Sequence, residues 1–240
     1  MALTTQTEAQ TSLAGVLLLG VSLVAAAYVL GHQIATFRLS DSTITVRGAA
    51  ELAVQADVAT WSLGLNSAAD TLAVAQQNMA ASMKGLQTYL VEQGIPAADI
   101  EPQTVSVADA LTNQYAQGRG ARFAITGGLT VRTGKLDAVQ KAKLNLAELL
   151  TRNVALASSN GPNYSYTKLN DDKPKLVGEA TQAARASAEQ FAADAGVRLG
   201  DIKSARQGSV EILGRDTFTS EAEQVGKVLR VVTTIDYLIK

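Results

Sequence analysis

The chain has 240 residues, with 21 Lys and Arg against 22 Asp and Glu, for a formal net charge of −1. It has no cysteine and a single histidine, His32, so disulfides, thiolate catalysis, zinc–thiolate sites, His-based triads and multi-His metal sites are excluded within one chain. Every Lys and Arg lies at or after Arg38 and only Glu8 among the acids precedes it, so the part from Arg38 onward is neutral and carries no electrostatic footprint for nucleic acid or anionic lipid.

The first element is uncharged. No fixed charge falls between Glu8 and Arg38, and Ser12–Leu30 reads SLAGVLLLGVSLVAAAYVL. As a helix this run spans about 28 Å, close to the ~30 Å hydrocarbon core of a bilayer. The expected organisation is a tail over 1–11, a transmembrane anchor over 12–31, a juxtamembrane linker over 32–42 and one domain over 43–240. Ala25-Ala26-Ala27 would suit a signal-peptidase site. However, residues 1–11 lack the basic n-region of a signal, and the apolar run outlasts a signal core, so an uncleaved anchor is favoured. Arg38 and Arg47 follow the anchor and nothing basic precedes it, which taken literally orients the domain to the cytoplasm; that rule has little authority over long translocated domains. Ser22 and Ala26 form a small-xxx-small pair of the kind that supports helix contact.

The domain opens with a strand, TITVRG, broken at Gly48, and a second extended run over Val54–Leu65 in which Trp61, Leu63 and Leu65 alternate with small or polar residues. Asp70–Gln93 has helical spacing, with Leu72, Met79, Met83, Leu86 and Leu90 on one face, Asp70 as N-cap and Gly94 as stop. The methionines read as core filler. Ile100–Ala110 and Ala121–Thr133 form a long hairpin with its tip near Gly118–Gly120, and Gly127-Gly128 marks a bulge or a close backbone approach.

A second helix is expected over Leu136–Leu150, with Leu136, Val139, Leu146 and Leu150 inward. A break at Gly161-Pro162 and a short strand through Tyr164, Tyr166 and Leu169 follow. The third helix, Leu176–Ala195, carries a stripe of Val177, Ala180, Ala184, Ala188, Phe191 and Ala195 and ends at Gly196. The last strands are Ile202–Leu213 and Val228–Ile239, joined by a polar, mobile loop. The order ββαββ-αβαββ, three helices on antiparallel strands, gives an α+β domain.

Few groups suggest chemistry. Asp171-Asp172 precede a helix, where capping is the natural role. Asp57 is a charge inside an apolar strand and needs a partner, either a structural ion pair or an edge position. Glu221 and Glu223 read as solvated loop charges, Asn163-Tyr164-Ser165 matches a glycosylation sequon, and Arg119 and Arg122 flank the hairpin tip as a solvated turn or a partner contact. None forms a nucleophile–base–orienter set. The residues therefore assign no catalytic, cofactor-binding or metal-binding position.

TITVRGAAELAVQADVATWSLGL, the later LVEQGIPAADIE, the stretch from NYSYTKLNDD through DAGVRLGDI to GSVEI, and the closing KVLRVVTTIDYLIK together resemble the SIMPL domain, in its membrane-anchored branch, over Thr43–Lys240. Many SIMPL sequences carry Pro-Asp in the second strand, where this chain has Ala56-Asp57. The resemblance implies an α+β domain, often periplasmic or surface-exposed, with ring assembly in some members, an association with stress protection and no established catalytic residues. It turns the expected orientation outward, to a single-pass protein of the bacterial inner membrane with a periplasmic domain.

The leading expectation is a non-enzymatic envelope protein whose domain self-associates into a homo-oligomer through exposed sheet edges and the Ile100–Thr133 hairpin, with membrane and like copies as partners and neither nucleic acid nor cofactor. The alternative is an envelope binding module for a small molecule, peptide or partner protein. A third reading, a hydrolase using carboxylates alone, would need a second carboxylate beside Asp57.

Overall fold

The computed structural model describes residues 20–29, 42–112 and 120–240. Its helices and antiparallel sheets make an α+β fold. Within the expected anchor, residues 20–29 are helical (α1) and exposed; the rest of 12–31 lies outside the described residues, as do His32 and the linker up to residue 41. Among the described residues no helix is long and apolar enough to cross a membrane.

β1 (Thr43–Gln55) runs straight through Gly48, and the break falls at Ala56-Asp57 before β2 (Val58–Ala69). At that break Ala56 N–H donates to the Val225 carbonyl at 2.8 Å and Asp57 N–H to the Ser165 carbonyl at 3.0 Å. Gly48 serves close packing instead. A Cβ there would lie 2.0 Å from the Ala180 carbonyl oxygen and 2.3 Å from Ala184 N, so only glycine admits the helix backbone so close to the strand. α2 (Leu72–Glu92) is capped by Thr71, not Asp70, through a 3.4 Å bond from Val74 N–H to its hydroxyl, and stops before Gly94, whose φ is +99°. It buries Ala75, Met79, Leu86, Tyr89 and Leu90, while Leu72, expected inward, is partly exposed.

The expected strand Ile100–Ala110 divides into β3 (Ile100–Pro102) and β4 (Ser106–Asp109), both paired with β5 (Phe123–Thr133). The division follows Pro102, which has no N–H for the ladder; Gln103 N–H then bonds the Gly128 carbonyl at 2.9 Å. Gly128 is the close approach expected of the Gly-Gly pair, since a Cβ would stand 2.1 Å from the Leu63 carbonyl oxygen. The expected helix Leu136–Leu150 is two, α3 (Leu136–Leu144) and α4 (Glu148–Thr151). The interruption rotates the inward face, so Leu149 is buried and Leu150, expected inward, is 69% exposed.

β6 (Leu156–Ser159), with the sequence LASS, had no periodic signal and was not expected; it pairs with β2, as does β7 (Asn163–Ser165). α5 (Leu169–Asp194) begins ahead of the expected Leu176 and carries Pro174 inside it, where the missing N–H leaves the Asn170 carbonyl without its helical bond. Its buried stripe is Leu176, Ala180, Ala184, Ala188 and Ala192; Phe191 and Ala195, expected on it, are exposed. The expected strand Ile202–Leu213 divides into β8 (Leu199–Gln207) and β9 (Glu211–Gly214), which pair antiparallel with different stretches of β10 (Gly226–Ile239). The expected domain order with three helices is thereby corrected to four helices, α2 to α5, and ten strands among the described residues, besides α1.

The chain forms two compact units that do not follow its sequential halves. One takes residues 42–49, Val177–Gly208 and Val232–Lys240; the other takes Ala50–Leu176 and Ser209–Val231. β1, α5 and β10 contribute to both. The second unit holds the six-stranded sheet β3-β5-β2-β6, with β4 on β5 and β7 on β2. Its core is bulky: Trp61, Leu63, Leu65, Leu86, Tyr89, Leu90, Ile125 and Leu149 are sealed from solvent. The first unit packs Ile44, Val46, Ile235 and Tyr237 against Ala184 and Ala188.

Candidate functional site

In the second unit a cleft of about 510 Å³ is lined by Lys143 and Leu144 of α3, Tyr164 of β7, residues 215–216 and 223–225 between β9 and β10, and Gly226 at the start of β10. Its wall is built by internal bonds. The buried Gln224 side chain donates to the carbonyls of Asp216 and Thr219, both at 2.9 Å, and accepts from Asp216 N–H at 3.1 Å. Asp216 in turn accepts from Phe218 N–H at 3.1 Å. A 3₁₀ turn, Glu221–Glu223, follows. There the Lys227 ammonium, whose side chain has no exposed surface, donates to the Glu221 carboxylate at 2.5 Å and to the Glu221 carbonyl. Glu221 is therefore an ion-pair partner, not the solvated loop charge expected of it. Lys227 escaped notice because its neighbours on β10, Leu229 and Val231, set an apolar alternation that a lysine interrupts.

The groups facing this cleft are less committed than its wall. Lys143, Arg215 and Glu223 have no ion-pair partner among the described residues. Tyr164 is only 4% exposed, and its hydroxyl, which is not sealed from solvent, has no hydrogen-bond partner among the described residues; burial raises its pKa and keeps it a donor. The middle residue of the sequon thus lines the cleft, while Asn163 is exposed on β7.

Asp57 has both oxygens occupied. They accept from Thr167 N–H and Thr167 Oγ1, each at 2.8 Å, which ties the start of β2 to the segment between β7 and α5. The neighbouring Tyr166 hydroxyl donates to Asp172, and that bond, with burial and the charges of Asp172, Asp57 and Asp171, pushes the phenol up to about 12. Asp171 and Asp172 lie in the first turn of α5, where they complement its dipole. The cluster is a hydrogen-bonded corner, and among the described residues no three His, Cys, Asp or Glu side chains gather as a metal would require.

The hairpin presents an open edge. Among the described residues β4 pairs only with β5, and Val105, Val107 and Leu111 along it are 49–60% exposed. Asp109 fixes its end: the Arg122 guanidinium donates to both of its oxygens at 3.1–3.2 Å and Leu111 N–H donates at 3.0 Å, holding the carboxyl below its usual range. Arg122 also stacks 4.7 Å over the Phe123 ring. It is thus engaged rather than solvated, while Arg119 lies outside the described residues. In the first unit, β8 is a second edge among the described residues, beside a cleft of about 440 Å³ whose Arg185 is already paired with Glu189 at 2.8 Å.

No curated protein matches the chain. The model of the family SIMPL, described as a protein of unknown function (DUF541), matches residues 44–228. That match takes in the six-stranded sheet, the hairpin edge and the cleft wall and stops at the start of β10, and the chain is a member of the SIMPL family.

Proposed function

We propose that this protein is a non-enzymatic component of the bacterial envelope, held in the inner membrane by residues 12–31, with its SIMPL domain on the periplasmic side joining further copies of itself into a homo-oligomer. The observation that carries the reading is the β4 edge. Among the described residues its backbone is paired on one side only, and Val105, Val107 and Leu111 offer apolar surface where soluble monomers blunt an edge with charge or proline. A second copy of the same strand, related by a two-fold axis, would satisfy the open backbone groups and cover these side chains. The uncharged stretch Ser12–Leu30 supports the anchor, and the neutral domain fits a protein that binds neither nucleic acid nor an anionic surface. The carboxylates that would have to serve a hydrolase are instead tied up around Thr167 and Tyr166.

The test is the mass of the full chain in mild detergent by light scattering, beside Val107→Lys. The reading expects a discrete oligomer from the parent and a smaller species from the variant, because a lysine at an edge opposes pairing. A monomeric parent at micromolar concentration defeats it.

A further inference from the structure

The cleft in the second unit stands apart from the edge and does not depend on it. We propose that this cleft binds a small organic anion, a carboxylate-bearing molecule with a short apolar portion. At about 510 Å³ it falls within the size range of small-molecule sites, roughly 300–1,000 Å³.

Three features assign the chemistry. Lys143 approaches from α3 and Arg215 from the segment after β9, two cations on separate elements with no partner of their own among the described residues. The lining also carries two acids, Asp216, which accepts from Phe218 N–H, and Glu223 of the 3₁₀ turn, so the cleft holds as many acids as bases and the carboxylate must be seated at the two cations themselves. Tyr164 adds a hydroxyl with no protein partner among the described residues on an otherwise buried side chain, a donor that reaches the cleft and is free to bond a ligand acceptor in place of water. An arginine fork suits a carboxylate in two-pronged geometry, and Leu144, 84% exposed on the rim, together with Val225 supplies apolar contact.

The wall is prepared in advance. The three bonds of Gln224 and the Lys227–Glu221 pair fix the backbone from Asp216 to Lys227. Gly214 lies under the same amide, where a Cβ would come within 2.6 Å of Gln224 Nε2. A preformed wall lowers the ordering cost of binding. The cleft in the first unit makes the contrast, since its arginine is spent on Glu189.

The experiment titrates the full chain in detergent with succinate, citrate and inorganic phosphate at constant ionic strength, by calorimetry. Succinate or citrate is expected to bind with a Kd of about 1 mM or tighter. The double variant Lys143→Ala/Arg215→Ala should weaken that binding by at least about tenfold, and Tyr164→Phe by several-fold, a lost hydrogen bond being worth about 1 kcal/mol. Both lysine and arginine are exposed, so the unliganded melting temperature should not move, which separates lost binding from lost folding. Failure of both carboxylates to bind at about 10 mM, binding of phosphate alone, or equal binding by the double variant would each overturn the proposal.

Discussion

The two units pack a helix onto strands in opposite ways. The second unit uses volume: α2 sets Met79, Leu86 and Leu90 against Trp61, Leu63 and Val131, with the Trp61 indole N–H donating to Ser159 Oγ at 3.1 Å. The first unit uses proximity: α5 presents alanine at every fourth position, and Gly48 lets its backbone come down on β1. A bulky core is harmed by removing atoms, a close-approach core by adding them. The same fold class therefore holds two kinds of fragility.

Substitution in each unit separates the two most directly. Trp61→Ala removes the largest sealed side chain and leaves Ser159 without its donor, with an expected loss of about 3–5 kcal/mol in denaturant unfolding followed by circular dichroism. Gly48→Ala adds one methyl group and should cost about 1–3 kcal/mol, because the obstacles 2.0 and 2.3 Å away are backbone atoms of α5. Ala184→Gly should not rescue it, since the nearest obstacle is the Ala180 carbonyl and not the Ala184 methyl. Rescue by that second change, or a neutral Gly48→Ala, would mean the helix stands off the strand after all.

A smaller effect of the opposite sign belongs to the first unit. Thr233 lies on the inward face of β10, 4% exposed, and its hydroxyl is buried with no partner among the described residues. Thr233→Val keeps the shape and removes the orphan, so stability should rise by about 1 kcal/mol. A loss on that substitution would reveal a bond the hydroxyl makes.

Legibility in the sequence follows the same division. Trp61, Leu63 and Leu65 alternate strongly enough to announce β2, and α2 was readable from its spacing. Gly48 looked like a break because a glycine in a strand signals either an ending or a close neighbour, and only the position of α5 decides between them. β6 escaped because LASS owes its pairing to β2 and not to its own pattern. The interleaving of the units was beyond local periodicity, since β8 and β9 share one long partner through contacts distant in sequence. The hairpin edge was legible as a candidate contact. The cleft was not, because Lys143, Tyr164 and Arg215 are brought together only by tertiary structure and none belongs to a motif that binds anions.

The smallest expected effect concerns acid. In the first unit Asp236 of β10 joins three strands: Ser204 of β8 donates to one oxygen at 2.5 Å and Thr45 of β1 to the other at 2.6 Å. These bonds favour the carboxylate, and despite some opposing burial they hold its pKa below the ordinary value of 3.8. A carboxyl with a depressed folded pKa contributes stability that is fully present above its unfolded pKa. That contribution declines as pH falls through the interval between the two values and is gone below the folded one. Asp236→Asn has no proton to gain there. Unfolding free energies measured from about pH 6 down to about pH 2 should therefore fall less steeply for the variant than for the parent, with the two curves converging at the acid end. Parallel curves would show that the three-strand junction contributes nothing that depends on the charge, and that the first unit is held by its alanine stripe and apolar strands alone.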